Sequence, residues 1–374
     1  MTVIASKGDR AKQGVDRDPI YFNMRFLTQP LSGMQRYAEE LLFALDQQVS
    51  QTRNRNDVAL VGLVPPGKMR HRDWKAIKIR RIGSLTGHAW EQWDLYLGSR
   101  GGKLVSLAGS GPLLHSRQIL AVHDANLAIN PQYYSPTYRV LHGILRPILI
   151  KKAVSLVTVS DFSLSELSSA YDVNRDRFHV IHDSAEHIIT VPPDLSVLER
   201  NGLTKDSYVL CVGNLSPNKN IPLAIGAFRA LRRTDIQLAV VGSNPRALAA
   251  TQIPNEPWLR MLGRVTDGEL RALYANAVAF VFPSVYEGFG VPPLEALTLG
   301  CPVVSSDSSA MPEILGDAVH FFKCGDVADC AERMQDALTL SPNEKYKMCE
   351  KGVARAALYS WKASAKKLAK VLEI

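Results

Sequence analysis

The chain has 374 residues, 46% of them hydrophobic and 21% charged. That composition is globular, supplies enough apolar material for two cores, and excludes disordered and collagen-like classes. The net charge of +8 is uneven, with 24 Lys+Arg against 17 Asp+Glu in residues 1–190 and 20 against 19 in residues 191–374. The sequence therefore reads as a basic first half joined to a nearly neutral second half.

From the amino terminus, "MTVIASKGDRAKQGVDRDP" lacks an apolar segment and is not read as a secretory signal. Short apolar runs then alternate with helical patterns, which predicts parallel α/β structure. The predicted strands of the first half are "PIYFN", "DVALVGLV", "AIKIRRI", "KLVSLA", "QILAVH", "SLVTVS" and "FHVIH". "SGMQRYAEELLFAL" predicts a helix with Met34, Tyr37, Leu41 and Leu45 on its apolar face and Glu39 and Glu40 on its wet side. The run from Lys68 to Arg81 holds seven basic residues and one acid. It reads first as a solvated face, and alternatively as an attraction for phosphate groups or an anionic membrane surface. No basic motif of a nucleic-acid binder accompanies it. The apolar "VLHGILRPILI" is interrupted by Arg146 and Pro147, and no run reaches the ~18 apolar residues of a membrane span.

Residues 191–203 hold Pro192 and Pro193 and read as a linker. A second α/β series follows in "YVLCVG", "IQLAVVGS", "WLRMLGRV", "VAFVFPS", "CPVVSSD" and "AVHFF". The fully apolar "VAFVFPS" is expected at the centre of its sheet. Thr266 and Glu269 predict a capping box. The cysteines, at 211, 301, 324, 330 and 349, are odd in number and never in CxxC spacing, which suits reduced thiols in a cytosolic protein rather than a metal site. The expected fold is α/β, with two Rossmann-like, doubly wound parallel-sheet domains facing across a cleft. The expected boundaries are 1–190, a linker at 191–203, 204–355, and a final helix over 356–374 that packs back on the first domain.

"SVYEGFGVPPLEALTLG", Ser284 to Gly300, leaves the carboxyl end of a predicted central strand, where open α/β sheets bind ligands. Gly288 and Gly290 permit close backbone approach, Pro293 and Leu294 open a helix, and Gly300 ends it. Four free N–H groups are expected at that helix start, a site for phosphate. Glu287 and Glu295 then flank it as acceptors for sugar hydroxyls, the geometry of a sugar-nucleotide site. The dipole alone also favours Glu295 near a helix start, and Glu287 reads equally as a solvated loop residue.

The stretch "FPSVYEGFGVPPLEALTLGCPVVSSDSSAMPEILGDA" resembles the signature of the family-four retaining glycosyltransferases, which have the GT-B fold. "SGMQRYAEELL", "VHDANLAINPQYY", "VTVSDFSLSEL", "VGNLSPNKNI" and "LGRVTDGELRALYANA" resemble that family's remaining segments in order, over most of residues 20–320. The resemblance implies that Glu295 binds the donor ribose and that Glu287 sits by the donor sugar with the amides of Gly288, Phe289 and Gly290. It implies that Lys219 neutralises the diphosphate together with amides at Leu294, and that Asn214 belongs to the same loop. Arg264 and Val265 would line the base pocket, Gly33 would let the first domain reach the diphosphate, and His123 would lie near the transferred sugar. The catalytic set is thus Glu287, His123 and Lys219. Asn214 and Asn218 stand where many members carry basic residues, which leaves Lys219 the main cation unless Arg36 or Arg25 compensates. His182, Asp183 and Glu186 read as cleft-edge or hinge residues, with acceptor contact as the weaker alternative. "DRD" at Asp16 to Asp18 mimics the metal-binding motif of the other glycosyltransferase fold but follows no strand, and reads as coincidence.

The expected function is retaining transfer of a hexose, mannose from GDP-mannose being favoured, to a glycan or polyprenyl-diphosphate-linked acceptor in bacterial polysaccharide synthesis. The nucleotide sugar is a co-substrate, and neither cofactor nor metal is expected. A UDP-sugar donor stays open, as do a non-catalytic nucleotide-sugar-binding subunit and a sugar-nucleotide epimerase. The expected location is cytoplasmic, with peripheral contact at the inner membrane.

Overall fold

The structure is a computed structural model that describes residues 18–52, 58–242 and 256–374. Asp16 and Arg17 of the "DRD" motif lie outside the described residues; Asp18 accepts a hydrogen bond from Arg117 at 2.8 Å.

Two all-parallel sheets organise the chain. The first contains β1 (Ile20–Asn23), β2 (Leu60–Val64), β3 (Lys78–Arg81), β4 (Lys103–Ser106), β5 (Gln118–Ala121), β6 (Ser155–Thr158) and β7 (Phe178–Val180), in the order β3-β2-β1-β4-β5-β6-β7. The second contains β8 (Tyr208–Val212), β9 (Gln237–Val241), β10 (Leu259–Gly263), β11 (Ala279–Phe282), β12 (Val303–Ser306) and β13 (His320–Phe322), in the order β10-β9-β8-β11-β12-β13. Each order reverses once, between β1 and β4 and between β8 and β11. Such reversals open a crevice at the carboxyl ends of the strands, where ligands bind in doubly wound sheets. All four residues of β11 are buried, as its uninterrupted apolar sequence requires of a central strand covered on both faces.

The helix Gly33–Thr52 buries Tyr37, Leu41 and Leu45, but Met34 is exposed and Glu39 is buried. Helical spacing alone put Glu39 on the wet side. Its carboxylate instead accepts two hydrogen bonds from Arg70, at 2.9 and 2.6 Å. Arg72 bonds Glu40 at 2.8 Å and lies 4.0 Å over the Phe43 ring. Part of the Lys68–Arg81 basic run is therefore held against this helix.

The final helix, Trp361–Leu372, packs on Gly33–Thr52 in the first domain. The Trp361 N–H donates to Glu186 at 2.7 Å, and the Ser364 hydroxyl donates to the His182 carbonyl at 2.7 Å. Glu186 and the His182 backbone thus anchor this helix. The chain crosses between domains twice, once before β8 and once before this helix.

Candidate functional site

Lys219 and Glu287 reach the crevice from the loops after β8 and β11, the two strands that flank the reversal in the second sheet. Lys219 Nζ lies 2.5 Å from Glu287 Oε1, with side chains 19% and 15% exposed. Gly213 and Gly242 let the β8 loop lie close against the loop after β9. A Cβ on Gly242 would fall 1.9 Å from the Gly213 carbonyl oxygen, and the Lys219 side chain runs over Gly213 with its Cβ and Cγ 3.4 Å from a Cβ added there. The Val285 N–H donates to the Asn218 carbonyl at 2.8 Å, tying the β11 loop to the β8 loop.

The asparagines that replace basic residues are engaged with their own turn. The Ser216 hydroxyl lies 2.5 Å from Asn214 Oδ1 and 2.6 Å from Asn218 Oδ1. The two cations considered as substitutes are also committed. Arg25 pairs with the buried Glu91 at 3.1 Å, and Arg36 makes a two-pronged bond to Asp267 at 2.8 and 2.9 Å.

Beyond Glu287 the chain turns at Gly290, where φ is +91° and a Cβ would sit 2.4 Å from Met311 Cε. Only glycine takes both the left-handed angle and the contact. The helix Val291–Thr298 starts there. Of the four positions that open it, 290–293, two are proline and carry no N–H. The expectation of four free amides is corrected: the helix start offers at most those of Gly290 and Val291. Leu294 is fully buried, and its amide is the first with an i−4 carbonyl, that of Gly290.

Glu295 lies one turn further on and is buried. Its Oε1 is 2.7 Å from His187 Nε2, and its Oε2 accepts from the Tyr274 hydroxyl at 3.0 Å. Neither partner was anticipated from the sequence. Asp183 is in the same neighbourhood. Burial, then the Glu295 charge, push its carboxyl up to about 7, against a hydrogen bond from the Ser184 N–H and the opposite pull of His187 and Arg36.

Arg264 and Val265 follow β10, and Val265 packs partly into the core while Arg264 is exposed. The Gly242 N–H donates to the Gly263 carbonyl at 2.8 Å, so these residues lie on the β9/β10 side of the sheet, at its carboxyl end.

The first domain closes directly on the glycine loop. The Ser160 and Ser163 hydroxyls both donate to the Gly288 carbonyl, at 2.6 and 3.0 Å. A Cβ on Gly288 would come within 2.5 Å of the His123 carbonyl oxygen. His123 follows β5 with its Nε2 3.2 Å from the Leu107 carbonyl and its ring 4.6 Å from that of Tyr37, edge to face. Burial pushes the His123 imidazole below its usual range, so it is neutral near pH 7. Phe289 is buried and meets Tyr359 edge to face at 5.4 Å. Glu313 accepts from the Asp161 and Phe162 N–H groups, both at 2.9 Å, and so caps a first-domain helix from the second domain. Gly33 stands exposed at the start of its helix, and a Cβ there would meet nothing within 4 Å. Open space surrounds it, but no backbone strain there requires glycine.

The structure thus pairs Lys219 with Glu287 and sets the backbone of Gly288 against that of His123, whose ring packs toward Leu107 and Tyr37. Asn214 shares the Lys219 loop, while Glu295 is held one helical turn away by groups of its own.

Comparison with known proteins agrees with this architecture. The family described as "Glycosyl transferases group 1" matches residues 198–355. The chain is 32% identical over 257 residues to O-antigen chain mannosyltransferase B of Escherichia coli, covering 66% of this chain and 67% of that one. It is 30% identical over 210 residues to O-antigen chain mannosyltransferase RfbU of Salmonella typhimurium, covering 54% of this chain and 56% of that one. Among solved structures, sucrose-phosphate synthase from Thermosynechococcus elongatus superposes with a TM-score of 0.70 at 16% identity, over 96% of this chain and 98% of that one. WaaG, a glycosyltransferase involved in lipopolysaccharide biosynthesis, gives 0.65 at 17% identity over 94% and 99%. The fold is that of the GT-B glycosyltransferases.

Proposed function

The chain belongs to the group 1 glycosyl transferases, and we propose that within them it is a retaining mannosyltransferase of bacterial polysaccharide synthesis, with GDP-mannose as donor and a glycan or lipid-diphosphate-linked oligosaccharide as acceptor. The observation that carries this is the meeting of Lys219 and Glu287 at the β8/β11 reversal. An ammonium there faces a leaving diphosphate, and a carboxylate beside it accepts hydrogen bonds from the sugar. The relatives named as mannosyltransferases support the choice of sugar.

In this reading Lys219 stabilises charge that develops as the donor's phosphate departs, with the amides of Gly290 and Val291 assisting and no metal required. The acceptor hydroxyl attacks from the face the phosphate leaves, and the phosphate takes the proton. Glu287 orients the sugar. His123, neutral and hydrogen-bonded to the Leu107 carbonyl, is assigned in this reading to the neighbourhood of the transferred sugar. The chain is expected to melt about 3–4 °C higher with saturating GDP-mannose than alone, since a ligand at about 100 times its Kd stabilises by roughly 2.7 kcal/mol. The decisive run compares GDP, UDP and ADP with their sugars, followed by transfer to an acceptor lipid extract. A shift with UDP alone would move the reading to a UDP-sugar donor, and binding without release of nucleoside diphosphate would move it to a binding subunit.

Peripheral membrane contact belongs to the same reading, but it is supported on a different surface from the Lys68–Arg81 run. The helix Pro136–Lys152 has no acidic residue, carries Arg139, Lys151 and Lys152, and leaves Val140 65% and Ile144 61% exposed beside Leu141 and Ile148. An apolar stripe on a helix whose own charged residues are all basic matches an anionic bilayer surface. Among the described residues no helix is long and apolar enough to cross a membrane. Val140→Glu with Ile144→Glu is expected to abolish co-sedimentation with phosphatidylglycerol vesicles while leaving nucleotide binding intact. Unchanged sedimentation would remove this surface from consideration.

A further inference from the structure

Glu295 is buried in a way that a ribose-binding carboxylate does not by itself require. Its two oxygens are each taken by a side chain, His187 Nε2 at 2.7 Å and the Tyr274 hydroxyl at 3.0 Å. The three side chains come from three separate places: the short turn His187–Thr190 that ends the first domain, the helix Asp267–Asn276, and the helix Val291–Thr298. His187 and Tyr274 are themselves buried. His187 Nδ1 is also buried and finds no hydrogen-bond partner among the described residues. A proton on Nδ1 would be an unpaired buried donor, so the hydrogen belongs on Nε2, where it is donated to Glu295.

As a stabilising device alone this arrangement is poor. A buried carboxylate bonded to an imidazole whose other nitrogen is orphaned gains little over packed apolar residues of the same size. As a device for holding a carboxylate still, it is efficient. An ionised carboxylate has about four lone-pair positions, and His187 and Tyr274 use two. The rest keep a fixed direction, because the side chain's torsions are locked from both ends.

We propose that His187 is a positioning residue for the nucleotide: it donates through Nε2 to Glu295 and, with Tyr274, fixes the carboxylate so that its remaining lone pairs meet the two hydroxyls of the donor's ribose. This inference rests on the donor reading above and adds to it the group that sets ribose recognition. Because His187 stands just before the linker at residues 191–203, the clamp also ties the ribose grip to the segment about which the domains are joined.

The test measures Kd for GDP and for 2′,3′-dideoxy-GDP on the full chain, with UDP and its dideoxy analogue in parallel. The readout is the ratio of the two constants. The native chain is expected to prefer the ribonucleotide by about tenfold or more, the range for a charge-assisted hydrogen bond. His187→Leu is expected to bring the ratio close to one with the dideoxy affinity unchanged. His187→Gln, which places an amide donor near the same point, is expected to restore most of the ratio. Tyr274→Phe, a change of one hydroxyl, is expected to lower it in part and serves if His187→Leu does not fold. A purely structural role would weaken both nucleotides alike and leave the ratio unchanged, which overturns the inference while the donor reading stands. A native chain that binds the ribo and dideoxy forms equally overturns Glu295's ribose role and the clamp with it. A native chain that binds neither GDP nor UDP overturns the donor reading itself.

Discussion

Lys219 and Glu287 neutralise each other across 2.5 Å at the mouth of the second sheet. In the reading proposed above, a donor diphosphate and sugar would offer each of them another partner, and substrate would exchange their mutual bond rather than add to it. Asn214 and Asn218 turn inward on Ser216 and Arg36 is held by Asp267, so the proposed reading assigns the cationic role there to Lys219. Lys219→Ala is therefore expected to lower turnover by roughly 100-fold or more, the scale for loss of one preorganised electrostatic contact to developing charge. Steady-state release of nucleoside diphosphate measures it, and a loss under tenfold would assign the role elsewhere. Asp183 makes a second prediction. Its carboxyl is raised to about 7 by burial, whereas an unfolded aspartate titrates near ~3.9. Between those values the folded chain keeps a proton the unfolded chain has lost. Its contribution is thus complete at low pH and fades as pH rises through 7. Asp183→Asn keeps the acceptor for the Ser184 N–H and removes the titration. The variant is expected to gain melting temperature over the native chain progressively from pH 4 to 8. A difference constant with pH would contradict this. Lys219 was marked by the resemblance of "VGNLSPNKNI" to a family segment, and Glu287 by its place in a glycine-rich loop at a strand end, where it also read as a solvated residue. Nothing of that kind marked His187 or Tyr274, and Asp183 was read only as a cleft-edge or hinge residue; the significance of all three is a matter of what they touch.

The glycine loop and the helix after it show how local rules set a site. Gly290 bends the chain at φ +91° into the helix Val291–Thr298, with Met311 packed where a side chain would stand. Gly290→Ala is expected to cost about 1–3 kcal/mol and to displace Glu287 and Glu295 relative to each other. Chemical denaturation together with nucleotide affinity would show both losses, and a stable, fully binding variant would contradict the assignment. Elements with strong local signals were legible before any coordinates. The Thr266–Glu269 capping box forms as its spacing predicts, and all thirteen strands fall within the apolar runs. The helix start at 291 was legible too, but its phosphate capacity was overestimated, because Pro292 as well as Pro293 removes a donor. Glu39 was misplaced for another reason: helical periodicity says which residues share a face, and only the arrival of Arg70 decides that a carboxylate can be buried on one.

At the level of the whole chain, the two domains are sewn together at the crevice itself. Ser160 and Ser163 hold the Gly288 carbonyl, Arg36 holds Asp267, and Glu313 caps the helix Asp161–Tyr171 from across the gap. The two serine bonds fall on the glycine loop itself, and a movement that parted the domains there would break these ties while the packing of the final helix on Gly33–Thr52 kept the halves attached. Glu313→Ala removes two charge-assisted acceptors from a helix start, a loss of about 0.5–2 kcal/mol by analogy with other caps. It is expected to shift the chain toward an open form, read as a larger radius of gyration in solution scattering. An unchanged radius would mean that the cap does not govern closure.

Alternation of apolar runs, turn residues and helix signals was enough to establish two parallel α/β units and to point at Ser284–Gly300, because those signals act over a few residues and survive in any packing. Partnerships were another matter. His187 and Glu295 are 108 residues apart, Asp161 and Glu313 152, and Arg36 and Asp267 231. Which distant side chains meet depends on strand order and on how one domain faces the other, and no local preference encodes either. The kind of chemistry was therefore written along the chain, while the clamp on Glu295 and the ties across the crevice came into being only when the two sheets were set face to face.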